Sequence, residues 1–310
     1  MLNSHSAPGC IPGFAYGNSI CYSGYRVNQS PVFKKFPSEH QITEDLQLLQ
    51  DQWRYLRLYD CSLHAERVLS VISKHGLDFK VMLGADMKAE LSNPNCPWGA
   101  EYDDSQLDQN CHSNNEEIDR MVKLAKLYPE LVCALSVGNE ATVEWSDHLV
   151  PVNRLVDFVS RIKSQVPHPV TFCENYVPWP DKLKLLVAEL DFISVHTYPV
   201  WEYRPVEESI DYTRQNYFSV TDRYPDKPVI ITEAGWTTRT NGIGIETSNA
   251  TPDFQKTYLE QLMNWSRRQE VMAFIFEAFD EPWKGSDDPD EPEKHWGLYR
   301  ENRTPKLFLQ

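Results

Sequence analysis

The sequence predicts an α/β fold, a single (β/α)8 TIM barrel spanning residues 1–310, and three observations predict it. Eight short apolar runs of buried-strand character alternate with about seven amphipathic helical patterns, the order produced by parallel strands joined through helical crossovers. No linker, low-complexity tract, composition break or internal repeat divides the chain. Its 310 residues match the size of one such barrel. An open doubly wound sheet is the competing arrangement, but the first strand lacks the Gly-x-Gly-x-x-Gly turn that nucleotide-binding sheets carry there.

The stretch from Gly13 to Gly17 reads as the first strand, opening near Tyr16 into a Ser/Tyr/Gly-rich loop. Ser38 and Gln41 have the spacing of a capping box, and Ile42, Leu46 and Leu49 continue at helical intervals. Residues 53–60 alternate polar and apolar as a second strand, with Arg57 and Asp60 near its far end. Val68, Val71 and Ile72 mark a helix closed by Gly76, and residues 79–84 are the third strand. A long loop over 86–112 precedes a helix capped by Ser113 and Glu116, whose inward residues are Ile118, Met121, Val122 and Ala125. The fourth run, from Val132, ends on Asn139 and Glu140. Pro151 opens a helix carrying Leu155, Val159 and Ile162, and residues 170–175 are the fifth strand. Pro180 starts a short helix through Leu186, residues 191–196 are the sixth strand, and a polar helix covers about 206–224. Val229, Ile230 and Ile231 form a β-branched run without polar alternation, as for a strand buried on both faces, and it stops at Glu233. Thr251 and Pro252 begin the next helix and residues 271–277 the eighth strand. The last helix is reduced or lost. The acidic tail residues Asp287, Asp288, Asp290, Glu291 and Glu293 read as a solvated loop without calcium-loop spacing.

The formal net charge of −15 argues against nucleic acid and anionic membrane surfaces and suits a neutral or cationic partner. No apolar run approaches the roughly 18 residues of a membrane span, so no membrane insertion is expected. Met1 to His5 lack the basic start and apolar block of a secretory leader. The chain as written is therefore expected to be soluble and cytoplasmic, or periplasmic or secreted if a native leader has been removed, and a monomer. Of seven cysteines, Cys61, Cys133 and Cys173 read as small buried hydrophobes. Cys96 and Cys111 bracket a loop and either pair as a disulfide or stay free. No Cys-x-x-Cys pair supports a structural zinc, and no cofactor or metal is expected.

Placing the polar and aromatic residues on this scaffold loads the C-terminal strand ends, where barrel enzymes do their chemistry. They carry Tyr16, Arg57, Asp60, Asn139, Glu140, Asn175, His196, Tyr198, Glu233, Trp236, Glu277 and Glu281. Seven of the nine tryptophans (Trp98, Trp145, Trp179, Trp201, Trp236, Trp283 and Trp296) fall in loops on that face. Flat apolar rings beside carboxylates and amides suit a sugar, whose C–H faces stack and whose hydroxyls hydrogen-bond. Glycosidic cleavage needs two carboxyl groups flanking the bond, and Glu140 and Glu233, on the fourth and seventh strands, can face each other across the barrel mouth. Asn139 is placed to meet the 2-hydroxyl and Tyr198 to orient the nucleophile, while Glu277 and Glu281 either raise a neighbour's pKa or bind hydroxyls. His196 reads as a satisfied core histidine.

Val137-Gly138-Asn139-Glu140, Ile231-Thr232-Glu233-Ala234-Gly235-Trp236, Arg57-Leu58-Tyr59-Asp60 and the run from Phe276 to Lys284 together resemble glycoside hydrolase family 17, the β-1,3-glucanases and related glucan transglycosylases. The resemblance covers nearly the whole chain, in order. It implies a retaining reaction with Glu140 as acid/base and Glu233 as nucleophile. It also implies Tyr16, Arg57, Asn139, Tyr198 and Trp236 around the cleaved sugar, with Glu277, Glu281, Trp283 and Lys284 supporting them, and a β-glucan as substrate. The tail from Glu293 to Tyr299 resembles bacterial members, and Thr237-Thr238 departs from the family's Pro-Ser after the tryptophan. A transglycosylase using the same glutamates, a non-catalytic glucan-binding barrel, and a Schiff base at Lys88 or Lys284 or a metal held by His196 and the glutamates are the alternative readings.

Overall fold

A strand covered on both faces has no use for polar alternation, and the apolar runs of this chain close into one sheet. The computed structural model describes residues 9–310; Met1 to His5 lie outside them. The strands are β1 (Ser19–Cys21), β2 (Tyr55–Leu58), β3 (Lys80–Gly84), β4 (Val132–Asn139), β5 (Val170–Asn175), β6 (Ile193–His196), β7 (Val229–Ala234) and β8 (Ala273–Ile275). They pair in parallel, in sequence order, as a closed barrel, with Ile20 set between Leu56 on one side and Ile275 on the other. Except for Lys80 and Asn139 at strand ends, every strand residue is buried.

Seven helices, α1 (Glu39–Leu49), α2 (Leu63–His75), α3 (Asp104–Leu127), α4 (Val152–Lys163), α5 (Lys184–Glu189), α6 (Val206–Thr221) and α7 (Pro252–Gln269), make the crossovers. The predicted capping box at Ser38 and Gln41 is present, Gly76 caps α2 at φ +61°, and Thr251 accepts from Phe254 N to start α7. Their apolar stripes, such as Leu155, Phe158, Val159 and Ile162 on α4, lie buried against the barrel.

Three expectations are corrected and one pairing that the sequence left open is resolved. The first strand lies at residues 19–21, not 13–17, so Tyr16 precedes it and its hydroxyl meets Ser266 Oγ at 3.0 Å near the end of α7, at the rim opposite the C-terminal strand ends. Helix α3 starts at Asp104, capped by the Asp103 side chain on Gln106 N; its first three turns are so rich in Asp, Gln and Asn that they read as loop. Helix α5 begins at Lys184 rather than Pro180, after a turn over residues 176–183. Cys96 and Cys111 are unbonded: the Cys96 thiol donates to Trp145 O at 3.3 Å, and Cys111 sits within α3.

After β8 the described chain forms no α-helix. Short 3-10 turns and a folded-back tail take the place of the eighth crossover helix, with Lys306 Nζ buried on Asp280 Oδ1 at 2.6 Å and Arg303 gripping the buried Asp45 of α1. The register slips between Ser136 and Asn139, between Val195 and His196 and between Ile231 and Ala234, so the C-terminal ends of β4, β6 and β7 are bulged where their polar residues emerge. Among the described residues no helix is long and apolar enough to cross a membrane.

Candidate active site

Residues two apart on a strand share a face, so Arg57 of β2 and Tyr59 just beyond it project together over the barrel's C-terminal end. Arg57 is almost wholly buried, a position that demands partners for its charge. Its Nη1 binds Glu233 Oε1, its Nη2 donates to Asn139 Oδ1 at 2.5 Å, and its guanidinium stacks 4.4 Å from the Tyr59 ring centroid. Tyr59 Oη donates to Glu233 Oε1 at 3.0 Å, and Tyr198 Oη donates to Glu233 Oε2 at 2.6 Å. The carboxylate that ends β7 is thus met by three donors from β2 and the loop after β6. Gly235 lets the next strand close over it, since a Cβ there would lie 2.1 Å from Phe276 O.

Glu140 is held differently. It follows the bulge of β4 at φ +45°, its N–H donating to Cys173 O at 2.9 Å, and its side chain stays about a quarter exposed where that of Glu233 is 7 % exposed. Among the described residues the only side-chain partner of its carboxyl is His196, whose Nδ1 lies 3.0 Å from Glu140 Oε1 and 3.4 Å from Glu233 Oε2. Ligand atoms of Glu140, His196 and Glu233 lie within 4.8 Å of one another, which puts the two carboxyl groups across a gap of a few ångströms.

Charge follows from this packing. Burial alone pushes the Glu233 carboxyl up, but the His196 charge, then Arg57 and the Tyr198 hydrogen bond, hold it down at about 2. Burial works against the His196 cation too, and the Glu233 charge chiefly carries its pKa up to about 10. Glu140 and Glu233 are therefore bridged by a protonated His196 through the neutral range. On β5, burial and then the Glu140 charge raise the Glu174 carboxyl to about 8.

The loop after β8 supplies a second polar group on the same rim. Lys284 Nζ lies 2.7 Å from both Glu277 Oε2 and Glu281 Oε2, and 4.6 Å from the centroid of the Phe276 ring. Burial, opposed by Lys284 and reinforced by Glu281, raises Glu277 well above the ordinary carboxyl range. The pairing also ties up Lys284 as a cation rather than a free amine. Tyr198 packs edge-on against Phe276 and Trp296 at 5.7 and 5.2 Å, and Trp201 leans on Trp296 at 6.2 Å.

Of the residues singled out from sequence, Arg57, Asn139, Glu140, Tyr198, Glu233, Glu277, Glu281, Trp283 and Lys284 stand on this rim, and Tyr16 does not. Trp236 does not face the rim's open space either. It is fully buried, its Nε1 donates to Asn249 O at 2.8 Å, and its ring packs 5.5 Å from Tyr258 of α7. Trp179 is likewise core, against Phe172. Sequence reasoning missed Tyr59, the bridging role of His196, Glu174 and Glu293. Burial first of all, opposed by the Lys284 charge and reinforced by that of Glu233, raises the Glu293 carboxyl to about 7. Tyr59 was findable, being two residues from Arg57 and just beyond β2; Glu293 was hidden in an acidic tail that begins with the exposed Asp287 and Asp288.

Residues 19–297 match the family described as the BtgE/BtgC glycoside hydrolase domain, in agreement with the resemblance read from the motifs. The chain is 24 % identical to the Aspergillus fumigatus protein named "Probable glucan endo-1,3-beta-glucosidase btgC", across all of this chain and 44 % of that one. It thus spans less than half the length of that relative. An endo-laminarinase from Formosa superposes with a TM-score of 0.82 at 25 % identity, over 94 % of this chain and 85 % of that one. The glycoside hydrolase family 17 β-1,3-glucanosyltransferase from Rhizomucor miehei shares the fold at a TM-score of 0.72 and 21 % identity, over 94 % and 96 % of the two chains.

Proposed function

Since the chain belongs to the BtgE/BtgC glycoside hydrolase domain family, we propose that it hydrolyses β-1,3-linked glucan with retention of anomeric configuration. In the first step the Glu233 carboxylate attacks the anomeric carbon, the glycosidic C–O bond breaks, and the Glu140 carboxyl gives its proton to the departing oxygen. In the second, Glu140 takes a proton from water, the hydroxide adds to the same carbon, and the bond to Glu233 breaks. The observation that carries this reading is the gap of a few ångströms between the two carboxyl groups, near the roughly 5 Å that suits direct attack and too small for an intervening water. The unequal surroundings support the roles, because Glu233 is ionised and pinned whereas Glu140 is open to exchange protons. Asn139 is assigned to the sugar's 2-hydroxyl, with its oxygen taken by Arg57 and its amide NH2 free to donate. The β-1,3-glucan preference rests on the names of the relatives. Residues 1–310 are taken as one catalytic domain acting as a monomer, supported by a closed sheet that leaves no strand edge open for pairing.

The test compares two variants on laminari-oligosaccharides and on an activated aryl glycoside. Glu233→Ala abolishes turnover of both, while Glu140→Ala loses the oligosaccharide but keeps kcat/KM on the aryl glycoside, whose leaving group needs no proton. Equal loss by Glu140→Ala on both substrates overturns the roles. The wild-type product profile separates the alternatives: chains longer than the substrate as main product mean transfer rather than hydrolysis, and binding of laminarin without turnover means a binding barrel.

A further inference from the structure

Glu174 is a carboxyl group wholly removed from water near the C-terminal end of β5, and among the described residues no lysine or arginine pairs with it. Such a group is costly unless its hydrogen bonds are needed. Its bonds are specific. Oε2 accepts from Thr142 N at 2.9 Å and from Thr142 Oγ1 at 2.7 Å, and Oε1 accepts from Asn175 N at 2.7 Å. Both oxygens must accept, which a carboxyl group can do and an amide cannot.

Thr142 stands two residues after Glu140, and the turn between them leaves the sheet through a left-handed residue, a conformation costly for any non-glycine and held only by its surroundings. The anchors around it are Glu140 N on Cys173 O, Ala141 O under Val150 N, and Thr142 O under Lys182 Nζ. Only Glu174 anchors the Thr142 N–H and hydroxyl. We propose that Glu174 is the positioning residue of the acid/base: by fixing Thr142 to β5 it holds the strained turn that aims the Glu140 carboxyl at the leaving oxygen. This rests on Glu140 being the acid/base.

The function read out is therefore proton delivery, not folding, and the two separate by leaving group. In Glu174→Ala, kcat/KM on a laminari-oligosaccharide falls by about 30-fold or more, the scale of a misplacement near 1 Å, while kcat/KM on a 2,4-dinitrophenyl glycoside stays within about 3-fold of wild type. Glu174→Gln, which keeps an acceptor for Thr142 and loses only the Asn175 bond, recovers most of the oligosaccharide activity. Thr142→Val, which removes the hydroxyl alone, shows a smaller loss with the same split, so the test survives if the alanine variant fails to fold. Equal losses on both substrates, or no loss on either, overturn the proposal. Glu140→Ala run alongside separates the failures: no split there refutes the acid/base assignment itself, whereas a split in Glu140→Ala without one in the Glu174 and Thr142 variants refutes only the positioning role.

Discussion

Replacing His196 by Asn takes away the buried cation that lies between the two carboxyl groups, and the result is calculable. In the intact site Glu233 falls from 4.5 to about 2 even though burial opposes its ionisation. That drop corresponds to about 3 kcal/mol in favour of the carboxylate, with His196 the foremost contributor ahead of Arg57 and Tyr198. Assigning a third to a half of it to His196 predicts a Glu233 pKa about one unit higher in the variant. The assay is kcat/KM on a laminari-oligosaccharide from about pH 2 to about pH 8, because its acid limb reports ionisation of Glu233, the proposed nucleophile, in the free enzyme. The limb moves to higher pH in His196→Asn. A second readout has the opposite sign of dependence. The folded-state pKa of His196 is raised from 6.5 to about 10, so its contribution to stability is complete below about pH 6.5 and disappears as pH rises through about 10. Thermal unfolding of the wild type loses that contribution on the alkaline side, and the variant, lacking it, shows a flatter profile there. An acid limb that stays put, together with an unchanged alkaline Tm profile, refutes the imidazolium bridge and returns His196 to the role of a core histidine.

Two further outcomes test the corrected parts of the fold. Lys306→Met leaves Asp280 buried without its cation and is expected to cost about 3–5 kcal/mol, read as a lower Tm, with Asp280→Asn in the same chain restoring part of it. Trp236→Ala removes a fully buried ring and is expected to cost about 3–5 kcal/mol of stability with little change in KM, which distinguishes a core tryptophan from a sugar platform.

The barrel was legible because strands of a parallel sheet covered on both faces must be continuous apolar runs, and Val132–Asn139 and Val229–Ala234 are such runs. The same rule made Glu140 and Glu233 conspicuous, since a charge that ends a buried run needs a use. It failed at β1, where three residues, one of them Ser19, are too few to stand out beside the aromatic stretch at 13–17. It failed at the start of α3, where the helix over residues 104–116 packs through the buried amides Asn110 and Asn114 on the loop at Lys88 to Glu90 and lacks an apolar stripe. The tryptophans show a further limit. Trp236 and Trp296 both follow barrel strands, yet one turns outward onto α7 and the other packs on Tyr198, a difference set by the backbone path beyond Gly235 and not by residue type. Glu174 was visible in principle as a charge inside a buried strand, the very signal that identified the other two glutamates.

The two glutamates close the apolar runs of β4 and β7 in the same manner, so their difference must come from what the barrel sets around them. Glu233 is fixed by rigid donors from strands and strand ends, Arg57, Tyr59 and Tyr198, which favour its charged form and leave it one orientation. Glu140 emerges from a bulge, its carboxyl meets His196 Nδ1 at 3.0 Å and it reaches solvent. A nucleophile must be ionised and stationary before the bond breaks, whereas an acid that becomes a base must change its proton in every turnover. On the proposed roles, restraint on the side chain of Glu140 would hinder that exchange; the hydrogen bonds instead hold its backbone turn, through Cys173, Val150 and Glu174, and leave the carboxyl partly exposed beside His196. Precision and proton exchange are thereby assigned to different atoms of the same residue.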